Sequence, residues 1–163
     1  RSNPRARVEA DCGADINGFE LTNDTRFNNF AYWARFLGFA RMTPTGNAQR
    51  VTADPTEAVR RHLPKLLSPD ATVAPVETLR KLALQLPVLD FGKTRVAIES
   101  LLPVDRQPDD TQISATMTLT LMRMEQAGEI ILENRGDAKS RIQLSPLTRL
   151  PTRTVISDMK VAS

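Results

Sequence analysis

Three prolines divide the second half of the chain into short segments. Pro75, Pro87 and Pro103 each lack the N–H that a helix interior needs, so each one begins or ends an element. Between the first two prolines, apolar residues recur at positions 76, 79, 82, 83 and 86, and this spacing predicts a helix that begins at Pro75. A second helix is predicted over about 93–102.

A third helix is predicted over about 115–127, with Ser114 as its N-cap and Gly128 at its left-handed end. After it, residues 130–134 and 141–144 are predicted to form two strands around the turn at Gly136 and Asp137. Three helices closed by a β-hairpin form the winged-helix arrangement, which is a variant of the helix-turn-helix.

Residues 114–130 resemble the third helix and first strand of MarR-like winged-helix proteins. In that family a capped helix with two spaced apolar residues is followed by a glycine and an apolar strand start. Leu121, Met124, Gly128 and Ile130 match this pattern, and residues 133–144 resemble the basic wing of the family. The resemblance covers residues 75–146 and implies the winged-helix fold, but it says little about function.

The first half repeats the same order of elements. A helix is predicted over about 27–37, capped by Asp24 and Thr25, and it is followed by Gly38, a strand, a turn at 44–47 and a second strand. Both halves therefore run helix, glycine, strand, turn, strand and proline, which suggests a duplication.

These patterns together predict a mainly α fold with small β-hairpin wings, in the α+β class, built as two tandem winged-helix-like units. Residues 1–68 would form a partial or divergent unit with a linker helix, and residues 69–148 the winged-helix domain. Residues 149–163 would be a tail or the start of a downstream segment. The chain opens at Arg1 rather than Met, so we expect it to be a piece of a longer protein.

Composition narrows the function classes. The single cysteine, Cys12, and the single histidine, His62, exclude an internal disulfide and a Cys/His zinc cluster within this chain. No apolar stretch is long enough for a membrane helix, and no signal peptide is evident, so a cytoplasmic protein is expected. The formal net charge of +3 resides in residues 1–68, because residues 69–163 carry equal numbers of acidic and basic side chains.

Catalytic motifs are not evident. Gly92, Lys93 and Thr94 form the end of a phosphate-binding loop, but Pro87 stands where that motif needs a glycine, so a turn that starts the second helix is predicted. The pair Asp109 and Asp110 is interpreted as favourable charge before a helix. We therefore expect no enzyme activity, no cofactor and no metal.

Aromatic residues of the first predicted helix allow two interpretations. Phe27, Phe30, Trp33 and Phe36 could form a platform on which nucleic-acid bases stack. Aromatic residues at helical spacing before a glycine are more often core, so we predict that they are buried.

Candidate DNA contacts come from three places, because a winged helix inserts its third helix into the major groove and touches the backbone with its wing. They are Thr116, Thr118 and Arg123 on the third helix, Arg135, Lys139 and Arg141 on the wing, and Asn28, Asn29, Arg35 and Arg50 in the first unit.

Two functions remain open. The first is a DNA-binding winged-helix module of a larger bacterial regulatory or DNA-modification and defence protein, with double-stranded DNA as its partner. The alternative is a module for protein interaction or dimerisation that does not bind DNA. The balanced charge of the second half and the outward position predicted for Leu119 favour the alternative.

Overall fold

The computed structural model describes residues 24–46, 48–67, 72–104, 107–138, 140–147 and 154–162. The expectations for residues 1–23 and for Lys139 lie outside these residues. The chain divides into two compact units, the first ending at Ala53 and the second beginning at Asp54. This division falls before the short helix that we assigned to the first unit, so the boundary at 68 is replaced by one at Asp54.

The described part of the first unit is a helix followed by a β-hairpin, as predicted. Helix α1 (Asp24–Phe36) leads into strands β1 (Ala40–Thr45) and β2 (Ala48–Ala53), which pair antiparallel. Gly38 ends the helix with a φ of 85°, and the N–H of Phe39 donates to the carbonyl of Ala34 at 2.8 Å. This is a Schellman motif, in which glycine takes the left-handed conformation without the steric penalty of a Cβ.

The helices of the second unit include the three that the prolines and glycine predicted. Helices α3 (Pro75–Gln85), α4 (Lys93–Glu99) and α5 (Ala115–Gln126) stand where they were expected, and α5 ends at Gly128 in a second Schellman motif. The Oγ of Ser114 accepts from the N–H of Met117 at 3.1 Å, so Ser114 is the N-cap.

Helix α2 (Thr56–His62), which continues into the 3-10 helix Leu63–Leu66, is part of the second unit and not a linker. Ala58, Val59 and Leu63 are buried, and α2 contacts α3 and α5. The Nε of Arg60 donates to the carboxylate of Glu129 at 2.9 Å, beside the end of α5. Burial and ion pairing together join this helix to the core.

The strands of the second unit pair differently from a winged-helix hairpin. They are β3 (Gln112–Ile113), β4 (Ile130–Glu133), β5 (Ile142–Leu144), β6 (Val155–Ile156) and β7 (Asp158–Val161). The predicted hairpin between 130–134 and 141–144 is wrong: β4 pairs antiparallel with β7, whereas β5 lies between β3, to which it is parallel, and the antiparallel β6.

Burial explains these pairings. Leu132 of β4 stands opposite Met159 of β7, and Ile142 of β5 stands opposite Ile156 of β6; all four side chains are at most 2% exposed. Residues 154–162 therefore complete the core of the second unit instead of forming a tail. A hairpin of β4 and β5 alone would leave these apolar faces in water, at a cost of roughly 1.5–3 kcal/mol for each large side chain.

Helix α5 lies at the centre of the second unit. Met117, Leu121 and Met124 are buried as their spacing predicts, but Thr118 and Thr120 are also buried. The helix therefore has no broad outward face of the kind that a recognition helix needs. The described residues form a mixed fold of helices and small sheets, in the α+β class.

Candidate nucleic-acid interface

The residues predicted to read DNA from α5 are held inside the second unit. Thr118 is fully buried, and its Oγ1 accepts from the N–H of Ser145 at 3.0 Å. Arg123 donates to the carboxylate of Asp54 at 2.6 Å, and Thr116 is half-buried. A DNA duplex cannot reach Thr118 in this position, because the side chain is fully buried and its hydroxyl is used by Ser145, which follows β5.

Residues 134–137, 140 and 141 of the predicted wing are exposed, but Arg135 and Arg141 make contacts within the loop. The guanidinium of Arg141 donates to the carbonyls of Arg135 and Gly136. Arg135 itself lies 3.5 Å from the carboxylate of Asp137. The loop is therefore a weak candidate for phosphate binding. The guanidinium of Arg141 is bound to carbonyls of the loop, and the carboxylate of Asp137 offsets the charge of Arg135.

A cationic surface is present on the β1–β2 hairpin of the first unit. In the antiparallel register Arg41 stands opposite Thr52, and Thr43 stands opposite Arg50. Alternate residues of a strand share a face, and so do cross-strand partners, so these four exposed side chains lie on one face of the hairpin. We call this surface the arginine face.

The other face of the hairpin lies toward α1. Met42 and Val51 are half-buried there, and the Nη1 of Arg35 lies 4.0 Å from the Sδ of Met42. Arg35 thus extends over the opposite side of the hairpin from Arg50, although both were predicted as DNA contacts. The arginine face is turned away from α1.

The stretch of sequence that contains the arginine face is basic. From position 25 to position 53 the chain contains four arginines, namely Arg26, Arg35, Arg41 and Arg50, and no aspartate or glutamate. A surface that is rich in arginine attracts polyanions.

Phe27 is half-buried, but the other aromatic residues of α1 are exposed, so the prediction that Phe30, Trp33 and Phe36 are buried is wrong. Phe30, Trp33 and Phe36 are 51%, 57% and 62% exposed, and Tyr32, which the sequence reasoning missed, is 62% exposed. The small Ala31 is buried instead. Rings at positions 30, 32, 33 and 36 spread over roughly 160° of the helix circumference, which is a wider arc than one contact with a hairpin would cover.

Asn28 and Asn29 are exposed in the first two turns of α1. Asn29 precedes Trp33 by four positions and Phe36 by seven, so these three side chains lie along one side of the helix. Asn28 points to a different side. Asn28 precedes Tyr32 by four positions and lies beside that ring, whereas only Asn29 is aligned with Trp33 and Phe36.

Other candidate chemical groups have structural roles. The carbonyl of Pro87 accepts from the N–H groups of Thr94 and Arg95 at 3.1 and 3.3 Å, so these amides are occupied and are not presented to a phosphate. A Cβ at Gly92 would collide with the same carbonyl. The Gly-Lys-Thr sequence therefore forms the turn that starts α4, because only glycine permits this close approach.

Asp90 connects the loop before α4 to the start of α5. Its carboxylate lies 2.8 Å from the Nη1 of Arg95 and accepts from the hydroxyl of Ser114 at 2.8 Å. Burial raises the pKa of Asp90 above its ordinary value, and the charge of Arg95 and the hydrogen bonds from Ser114 only partly oppose this rise. Asp90 binds both Arg95 and Ser114, which indicates that the three side chains stabilise the fold.

Within the ranges described above, no three His, Cys, Asp or Glu side chains come together in a group that could hold a metal ion. None of the described helices has the length and apolar character needed to cross a bilayer.

A family model described as DpdG-like matches residues 2–138. Neither a curated protein nor a solved structure matches the chain.

Proposed function

This chain belongs to the DpdG-like family, and from that premise we propose that it is a DNA-binding component of a bacterial system of DNA modification or defence. In this proposal the chain acts in the cytoplasm as a binding module and not as an enzyme. The family supports the connection to DNA modification, and the surface of the first unit supports the binding of DNA.

The arginine face carries the proposal. Arg41 and Arg50 place two guanidinium groups beside the hydroxyls of Thr43 and Thr52, and all four side chains are exposed. Guanidinium and hydroxyl groups are the donors that proteins use most on DNA phosphates. A two-stranded ribbon is also narrow enough to lie along a groove of a duplex.

Binding through this surface is expected to depend little on sequence. Phosphate contacts position a protein on the duplex but carry no base information. The salt dependence of the affinity should therefore be the main signature, because each phosphate contact releases counterions.

The test is fluorescence anisotropy of a labelled random duplex, titrated with the full chain at low and near-physiological salt. We expect binding at low salt that weakens steeply as salt rises. In the variant R41A/R50A the slope of log K against log salt should fall by up to about 1.8, which corresponds to two lost phosphate contacts. Absence of binding at low salt contradicts the proposal.

Two further variants locate the surface. R61A/K65A removes the same charge from exposed positions of the second unit and is the matched control, for which an unchanged slope is expected. R135A/R141A tests the loop 134–141. If this variant lowers the slope and R41A/R50A does not, the phosphate contacts belong to the loop, and the arginine face is the wrong surface.

A second candidate function is protein interaction, and helix α4 favours it. No residue of α4 is buried; Val96 and Ile98 are more than half exposed, and Leu101, just after the helix, is 83% exposed. Leu119, which was predicted to point outward, is half-buried, so the apolar surface that supports this function is on α4 and not on α5.

Sedimentation of the wild type and of Ile98→Asp over a range of concentrations tests self-association. An oligomer that Ile98→Asp dissociates supports this function. A monomer at every concentration excludes a dimer interface at α4.

A further inference from the structure

One side of α1 combines exposed rings with polar groups. Asn29, Trp33 and Phe36 lie along it at successive helical turns, and Tyr32 adjoins Trp33. The ring centroids of Trp33 and Tyr32 are 5.8 Å apart, those of Trp33 and Phe36 are 5.7 Å apart, and both pairs meet edge to face. We call these four residues the aromatic face.

Such a surface needs a partner. Three neighbouring rings, each more than half exposed, leave apolar area in water that folding did not remove. A contiguous exposed apolar patch marks a binding site more often than a scattered exposed residue does.

The charge beside the aromatic face selects the kind of partner. Arg26 stands three positions before Asn29 and is exposed, and α1 carries two arginines, Arg26 and Arg35, against one carboxylate, Asp24. Rings flanked by positive charge suit a flexible polyanion with flat apolar groups, because phosphates are attracted while bases stack. The bases of a duplex are stacked on each other and do not offer their flat faces.

We propose that the aromatic face binds single-stranded DNA, with unpaired bases stacking on Trp33 and its neighbours and Arg26 attracting the phosphates. Asn29 is placed to exchange hydrogen bonds with a base edge. The inference goes beyond the proposed function, which needs only phosphate contacts on the arginine face, and that face is turned away from α1. The two surfaces can therefore be tested separately.

Trp33 provides a direct measurement, because it is the single tryptophan of the chain. The experiment titrates the full chain with oligo(dT) while tryptophan fluorescence is recorded. Stacking of thymine on the indole should quench the fluorescence in a saturable way. Two probes of equal length serve as controls: an abasic oligodeoxynucleotide, which keeps the phosphates without bases, and a duplex. Neither should quench to a similar degree.

Variants then connect the signal to affinity, measured by anisotropy of labelled oligo(dT). Trp33→Ala should weaken binding by about tenfold, and Trp33→Phe should retain most of the affinity because the ring remains. Tyr32→Ala is a second variant of the same face. Leu101→Ala removes an equally exposed apolar side chain from the second unit and should change nothing. Circular dichroism of each variant checks that it is folded.

The results separate this inference from the proposed function. The inference is overturned if oligo(dT) binds without quenching the fluorescence of Trp33, or if it binds Trp33→Ala as tightly as the wild type. Neither outcome affects the proposed duplex binding through Arg41 and Arg50. Quenching by oligo(dT) without any duplex binding supports the inference and overturns the duplex proposal. Concentration-dependent shielding of Trp33 without DNA would show that a second copy covers the face, and it would also overturn the inference.

Discussion

Arg123 on α5 donates to the carboxylate of Asp54 at 2.6 Å, and Asp54 is the first residue of the second unit. The other carboxylate oxygen of Asp54 accepts from the N–H of Thr56 at 3.2 Å and from its hydroxyl. One buried side chain thus accepts from the first N–H of α2 and connects this helix to the central one. This geometry explains why α2 belongs to the second unit.

Replacing Asp54 with alanine should destabilise the second unit by about 2–4 kcal/mol, because the hydrogen bonds from Thr56 and the charge-assisted hydrogen bond from Arg123 are lost together. Urea denaturation followed by far-UV circular dichroism measures this loss. Asp54→Asn keeps an oxygen for Thr56 but not the charge for Arg123, so it should cost less. Equal stability of Asp54→Ala and the wild type would contradict the assigned role.

Two leucines provide a matched pair for the core. Leu121 is fully buried in α5, whereas Leu101 is 83% exposed. Leu121→Ala should lower the free energy of unfolding by about 2–5 kcal/mol, since it removes buried apolar area and leaves a cavity. Leu101→Ala should stay within about 0.5 kcal/mol of the wild type in the same denaturation experiment. Similar effects of the two changes would mean that α5 is not central.

Two glycines test the end of α5. Gly128 has a φ of 69°, and a Cβ there would meet no other atom, so Gly128→Ala should cost only the backbone strain of about 1 kcal/mol. Gly136 is equally open but does not have a left-handed φ. Gly136→Ala should therefore be close to neutral in thermal unfolding, and a larger loss at Gly136 than at Gly128 would refute the explanation.

The pH dependence of stability should carry a contribution of unusual sign from Asp90. Burial raises the pKa of Asp90, so the folded state holds the proton more tightly than the unfolded state. As pH rises from the ordinary aspartate value through the raised pKa, the contribution of Asp90 to the free energy of unfolding falls. The wild type should therefore gain stability relative to Asp90→Asn as a neutral solution is acidified, as measured by urea denaturation at a series of pH values.

Asp109 gives the contrasting control. The N–H of Thr111 donates to its carboxylate at 2.7 Å and lowers the pKa of Asp109. Its stabilising contribution is present above the ordinary aspartate pKa and is lost as pH falls through the lowered pKa. The wild type should thus lose stability relative to Asp109→Asn on acidification, and a shift of the same sign for both residues would contradict this account.

Local order was predictable from the sequence, but strand pairing was not. Ser114, Gly128 and the prolines determine helix ends through interactions within a few residues, and the predicted α3, α4 and α5 stand where those signals put them. The partner of β4 is β7, far along the chain, and an alternating pattern indicates a strand without indicating which strand it joins.

The candidate site was predictable only in part. Arg50 and Asn29 are exposed as expected, since charge and polarity keep such side chains in water. Thr118 was predicted to be exposed and Trp33 to be buried, and both predictions are wrong. The threonine is buried because the N–H of Ser145 satisfies its hydroxyl. The tryptophan is exposed because Ala31 is the residue buried on the inner side of α1. Neither outcome follows from helical periodicity, which does not show how much of a helix its neighbours will cover.

The pairing of β4 with β7 has a consequence for synthesis on the ribosome. A chain emerges from its N-terminal end first, so β4 and β5 leave the exit tunnel before the strands that complete their sheets. Until β6 and β7 follow, Leu132 and Ile142 face water along open strand edges, which are the surfaces on which nascent chains aggregate. A ribosome that stalls between β5 and β6 would therefore hold an exposed chaperone substrate, and the emergence of β6 and β7 would turn it into a closed domain.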